Sequence, residues 1–461
     1  MNEVSDKSLR NALGARILSE ANDLKRTPDA LADELGFSRD FIRDVVSGGA
    51  SVEDCRNVIQ RMADAYPVRL SDLWVEADDT DQGVRIMRAA ESKAGARIFQ
   101  RKDRDGGLTD YYEYRDTAMS RLGPFKPEWI QPIRVVDNAD AENPDVAYNN
   151  GHLLHQLTFF IGDVNFYWEV GGRKQCAEMT TGDSNYITPF VPHSFTSRDP
   201  DNPGLIIAVT FAGAVRRALD DFSVLAPEGA EALAGNLRDG DQVFRTRLNR
   251  HLANESLTPA RFADALAGAG VPEARARALS DGDAPNAEEL KAMADILAIR
   301  PQDLSTETLH EEEEVVLARA DGSDWRGWPD GNAPTVRLKP LARTRHQPGL
   351  KGFHAEAVSS DDPGSDGDMS HGLFEYIFNY GDSPMRMIWA DGRDTVLAPG
   401  DSACVCPMVP HRFLLPEGAV TPARFFLVRV PGRLDDTTLD EFARYAEAGR
   451  GRVIKETKRW F

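Results

Sequence analysis

His152 and Gln156 stand four residues apart in the stretch Asn149-Asn150-Gly151-His152-Leu153-Leu154-His155-Gln156, and His193 follows in Pro192-His193-Ser194. Two imidazoles and one carboxamide oxygen can share a divalent metal. Three donors on one face of an octahedral ion leave three positions open, which suits non-haem Fe(II) taking substrate and O2 together, whereas zinc more often sits in a closed tetrahedron of other donors. A glutamine oxygen is neutral and a weaker donor than a carboxylate, so an anionic chelating substrate would supply part of the charge balance. On an uninterrupted strand His155 faces away from His152, which gives it a supporting or surface role. The competing reading makes the histidines buried groups bonded to backbone and Gln156 a structural amide; the paired motifs favour ligation.

These side chains need strands to hold them. Leu157 to Val170 is dense in Phe, Ile, Val, Tyr and Trp and breaks at Gly162-Asp163, which predicts a strand, a tight turn and a returning strand. Antiparallel strands bring residues distant in sequence face to face across a barrel. The pattern then recurs. His371-Gly-Leu-Phe-Glu375 repeats the first motif 219 residues on, and Gly400 to Phe413, with His411, repeats Gly182 to Phe195 at an offset of 218. His371, Glu375 and His411 thus form an alternative second metal site of the commoner His/Glu type. Five of the nine histidines fall in these motifs, a concentration that random placement would rarely give.

Helical segments precede each strand-rich part. Thr27 caps a helix entered at Pro28 and ended by Gly36, Ser38 to Val46 is the next, stopped at Gly48-Gly49, and Val52 to Tyr66 and Arg69 to Trp74 complete the unit. Thr258-Pro259, Met293-Ala294-Asp295 and Arg300 to Leu304 repeat Thr27-Pro28, Met62-Ala63-Asp64 and Arg69 to Leu73 at a constant 231 residues. The fold class is therefore α+β, a tandem duplication of a helical, helix-turn-helix-like unit and a β jelly-roll barrel. The expected parts are residues 1–80 (helical), 81–225 (first barrel, catalytic), 226–310 (helical) and 311–461 (second barrel, structural). Ser305 to Thr335, with the acidic run Glu311 to Glu314, and Ser359 to Ser370 read as loops or linkers.

At 461 residues the chain exceeds one ordinary core, and its formal net charge of −20 repels a phosphate backbone. Its four cysteines form no CxxC pair and suit a reducing compartment. No apolar run approaches the roughly 20 residues of a membrane helix. A cytoplasmic protein without membrane or nucleic-acid partners is expected.

The two His-bearing motifs per strand-rich part resemble the cupin pattern. More specifically, Asn149-Asn150-Gly151-His152, the Gly182-Asp-Ser to Pro192-His193-Ser phrase and the duplicated layout resemble the hydroxyethylphosphonate dioxygenase and methylphosphonate synthase family. The resemblance implies Fe(II) held by His152, Gln156 and His193, and cleavage of the carbon–carbon bond of 2-hydroxyethylphosphonate with O2. The dioxygenase branch has a ligand Glu in the second motif, where this chain has Ile187; the synthase branch has Gln four residues after the first His, as Gln156 is. The implied products are methylphosphonate and CO2 or bicarbonate, with hydroxymethylphosphonate and formate as the alternative. Substrate contacts carried over by the resemblance are Arg101, Tyr114, Asn149 and Lys25, the last expected to reach a neighbouring subunit of a homo-oligomer. A family serine after the second motif has only Thr210 as a weak substitute.

The rival reading is a transcriptional regulator, since a helix-turn-helix joined to a cupin is a common sensor layout. It asks for a basic recognition helix. Ser38 to Val46 sets Arg39 and Arg43 against Asp40 and Asp44, and Glu273 to Arg277 is only slightly basic. Another cupin enzyme, or a binding-only bicupin, is the remaining alternative.

Overall fold

A computed structural model describes residues 3–234, 240–305, 314–331 and 333–454. The first helical unit is built on local caps: the Thr27 hydroxyl accepts from Ala30 N at 3.2 Å, Ser38 accepts from Phe41 N at 3.2 Å, and Ser51 with Asp54 closes a capping box. Gly36 ends the helix Pro28–Leu35 at φ 78°, a conformation that costs glycine nothing. The apolar faces of Glu3–Asp23, Pro28–Leu35, Arg39–Val46 and Val52–Ala65 close around Leu13, Ile17, Leu31, Ile42, Val45 and Val58. The second helical unit repeats this, with Thr258 capping Pro259–Gly268 and Asn286 capping Ala287–Ile296.

The strands form two seven-stranded sheets, each with a three-stranded companion, and every strand pair is antiparallel. In the first large sheet Ser184–Ile187, His155–Ile161, Leu205–Phe211 and Phe125–Pro132 are neighbours, and His193–Ser197 belongs to the small sheet. The second half repeats this order with Ser402–Val405, Phe374–Asn379, Ala423–Val430 and Lys351–Ala357, and with His411–Leu414 in its small sheet.

Each half lends the other a strand. Val84–Met87 pairs with Ser402–Val405, and Val315–Ala318 pairs with Ser184–Ile187. The sheets therefore do not divide at residues 81 and 311. Val315–Ala318 and Arg326–Trp328 are strands inside the segment expected to be linker, because three or four residues suffice for a sheet edge. Of the acidic run, Glu311 to Glu313 lie outside the described residues.

Strand alternation then separates two environments. Leu157 and Phe159 point toward the other half, where Phe159 stacks on Phe426 at 4.8 Å within a core shared with Tyr376 and Val428. Gln156, Thr158 and Phe160 point into the first half. His155 lies on the outward side, half-buried, bonded to Tyr186 Oη at 2.7 Å and to Gln347 of the other half at 3.1 Å.

The shared core makes the halves interdependent. Phe159→Ala is expected to cost about 3–5 kcal/mol and to leave one unfolding transition in a thermal melt; two resolved transitions would contradict a common core. His354, half-buried against Trp325 and Phe159, lies in the same contact. Burial, with Lys339 and Arg424 adding to it, pushes its pKa down to about 4. An unfolded histidine titrates near 6.5, so His354 contributes stability that is full above about pH 6.5 and is lost as pH falls toward 4. Urea titrations across that window should give His354→Gln a shallower pH dependence, by up to about 1.4 kcal/mol per pH unit; equal slopes would refute it.

Candidate metal centre

His152 sits in the loop before the strand His155–Ile161, Gln156 on that strand, and His193 at the start of His193–Ser197 in the facing sheet. Gly151 makes the loop possible. It has φ 71°, and a Cβ there would come within 2.5–2.8 Å of the Phe190 backbone. That contact lets Phe190 N donate to His152 O at 2.9 Å, joining the two motifs.

The hydrogen bonds assign the lone pairs. His152 Nδ1 lies 3.1 Å from Leu154 O and His193 Nδ1 lies 2.8 Å from Val191 O. A carbonyl only accepts, so both rings carry hydrogen on Nδ1, and each Nε2 is left as the inward atom. Gln156 Nε2 donates to Thr158 Oγ1 at 2.8 Å, which turns Oε1 toward His152 Nε2 at 3.2 Å. Burial, reinforced by His152 and Arg101, pushes the pKa of His193 down to about 4, so its ring stays neutral. The imidazole rings of His152 and His193 stand edge to face with centroids 5.3 Å apart. His152 Nε2 and Gln156 Oε1 thus face each other at 3.2 Å, and His193 lines the same cavity. A cation there would take a lone pair from each.

Asn149 locks His193 in place. Its Oδ1 accepts from His193 N and Gly151 N, both at 2.9 Å, and its Nδ2 donates to His193 Nε2 at 3.1 Å.

The three candidate ligands open onto a cavity of about 270 Å³ also lined by Arg101, Tyr114, Lys126, Glu128, Asn149 and Thr210. Arg101 forms no ion pair among the described residues, so its charge faces the cavity uncompensated. Tyr114 has its pKa pushed up to about 12 by burial, aided by Glu128, and remains a phenol. Burial also raises the Glu128 carboxyl, with Asp116 adding to the effect against Arg97 and Lys126. One row across the sheet explains the wall: Ile187 pairs with Gln156, Gln156 with Thr210, and Thr210 with Lys126.

Sequence reasoning overlooked Lys126, Glu128 and Thr158. The alternation Lys126-Pro127-Glu128-Trp129-Ile130, charges spaced by two in an apolar strand, was the available signal. Ile187 is buried beneath Gln156 and does not line the cavity. Lys25 is not brought to the cavity within this chain. It ends the first helix at φ 61°, and its Nζ donates to Asp23 O at 3.2 Å. His371, Glu375 and His411 do converge, with ligand atoms within 4.8 Å of one another.

No protein-family model matches the chain. It is 34% identical over 454 residues to the methylphosphonate synthase of Nitrosopumilus maritimus (strain SCM1), covering 97% of this chain and 95% of that protein. Among solved structures it is similar to Streptomyces albus HEPD with 2-hydroxyethylphosphonate and Fe(II) bound, with a TM-score of 0.85, 32% identity and coverage of 98% and 100% of the two chains. A second 2-hydroxyethylphosphonate dioxygenase structure, at 20% identity, shares the fold with a TM-score of 0.75 over 96% of this chain and 99% of that one. The near full-length likeness to the archaeal protein identifies the lineage: the chain belongs to the methylphosphonate synthase family of non-haem iron oxygenases.

Proposed function

We propose that this enzyme uses Fe(II) and O2 to cleave the carbon–carbon bond of 2-hydroxyethylphosphonate, giving methylphosphonate and CO2 or bicarbonate. In this reading His152, Gln156 and His193 hold the iron inside a cupin-type jelly roll formed by the first large sheet and its companion. The observation that carries it is that His152, Gln156 and His193 line one cavity with Arg101 and Lys126, with His152 Nε2 3.2 Å from Gln156 Oε1. Bound there, Fe(II) supplies the one-electron reactivity toward O2 that amino-acid side chains lack.

The remaining roles belong to the chain. Arg101 and Lys126 offer fixed positive charge to a phosphonate dianion, and Arg101 can do so through two parallel N–H groups. Tyr114, held as a phenol, donates a hydrogen bond to a phosphonate oxygen. Asn149 positions His193 and presents an amide N–H beside the iron position. The cavity lies below the range of about 300–1,000 Å³ typical for drug-sized ligands, as a two-carbon substrate requires. The neutral Gln156 leaves charge balance to the substrate, in keeping with a chelating dianion.

The reaction balances without another reductant. The departing carbon, at the oxidation level of formaldehyde, gives four electrons to O2 and leaves as CO2 with one water. Hydroxymethylphosphonate and formate is the alternative outcome; Gln156 as third ligand, with Ile187 in place of a carboxylate, favours methylphosphonate by the family resemblance. Lys25 serves a neighbouring subunit in this proposal.

A repressor role has weaker support. Arg39 is held by Asp33 at 2.6 Å, Arg43 by Asp29 at 2.8 Å and Arg275 by Glu289 at 2.8 Å, so the helices that would meet DNA spend their cations internally.

Aerobic incubation of the Fe(II)-loaded protein with 2-hydroxyethylphosphonate, followed by phosphorus NMR, should yield methylphosphonate. Unconsumed substrate would overturn the assignment, and Gln156→Ala should abolish turnover. Arg101→Ala should raise KM about 10- to 150-fold, the worth of a charge-assisted contact of about 1.5–3 kcal/mol; an unchanged KM would remove Arg101 from the substrate site.

A further inference from the structure

The second half repeats the donor geometry with a carboxylate in place of the amide. His371 Nδ1 lies 3.1 Å from Leu373 O and His411 Nδ1 lies 2.9 Å from Val409 O, the counterparts of Leu154 and Val191. Both rings therefore turn Nε2 inward. Those atoms meet a carboxylate: His371 Nε2 is 3.0 Å from Glu375 Oε2, and His411 Nε2 is 2.9 Å from Glu375 Oε1. Two donors about 2.1 Å from one ion and at right angles are about 3.0 Å apart. The two imidazole–carboxylate edges have that length, and the three ligand atoms lie within 4.8 Å of one another.

What differs is the next position in the row. The row Val405, Glu375, Arg429 and Lys351 repeats Ile187, Gln156, Thr210 and Lys126, so Arg429 stands where the first half has the short Thr210. Its Nε donates to Glu375 Oε2 at 2.5 Å, its Nη2 lies 3.3 Å from Met369 Sδ, and its guanidinium lies over the Phe353 ring at 5.4 Å. Arg429 occupies the row position of Thr210, which lines the cavity in the first half. It reaches one carboxylate oxygen and neither imidazole, so it does not replace the partner that both Nε2 atoms face.

We propose that His371, Glu375 and His411 hold a second divalent first-row metal ion in a site that Arg429 closes to substrate. The ion takes two imidazole nitrogens and the Glu375 carboxylate, while Arg429 holds Oε2 and orients the ligand from outside. Glu375 and His411 have 0% and 1% side-chain exposure and His371 18%. The role is structural. Glu375 lies in the large sheet, His411 in the small one and His371 in the loop that bridges them through Met369, so one ion ties all three.

The test is metal counting, independent of turnover. The full chain is loaded anaerobically with Co(II), desalted and measured by inductively coupled plasma mass spectrometry. Two ions per chain are expected in the wild type, one in His193→Ala and one in His371→Ala, with none in the double variant. No ion in His193→Ala would overturn the proposal, as would an unchanged count in folded His371→Ala. Where His371→Ala fails to fold, the His193→Ala count decides alone. A count lowered by His371→Ala and unchanged by His193→Ala would uphold this site and refute the first-half metal centre.

Discussion

The candidate metal centre depends on where two hydrogens are held. Each imidazole gives its Nδ1 hydrogen to a carbonyl two residues away, Leu154 for His152 and Val191 for His193. These short loops convert two ordinary histidines into fixed lone-pair donors. Thr158 does the same for the Gln156 amide. Once the donors are fixed, the rest of the fold has to deliver them to one point and wall that point with charge.

Antiparallel register performs the delivery. Gln156 comes from the large sheet and His193 from the small one, while the Gly151 turn sets His152 against the chain segment that leads to His193. The same register carries Thr210 and Lys126 into line with Gln156. In the second half that row carries a Glu–Arg pair instead. A duplicated scaffold thus sets a short Thr210 in one half where Arg429 stands in the other.

Much of this was legible before any coordinates. The motif spacing, caps and constant offsets are local features, and they marked His371, Glu375 and His411, which the structure brings together, and the helices capped by Thr27 and Thr258. Long-range pairing was not legible. The strands Val84–Met87 and Val315–Ala318 are four residues long and find partners in the opposite half, so nothing near them in sequence marks their destination. Lys126 and Thr210 were obscure as wall residues for the same reason: strand register, not local spacing, sets them beside Gln156. Lys25 was a family inference, and the single chain keeps it at the end of its own helix.

The central claim is that two imidazole nitrogens and one carboxamide oxygen bind ferrous iron in the first half. Anomalous diffraction at the iron edge, from crystals loaded with Fe(II) under argon, tests it most directly. The account predicts a peak within about 2.0–2.3 Å of His152 Nε2, His193 Nε2 and Gln156 Oε1. Iron bound elsewhere, with those three atoms bare, would contradict it.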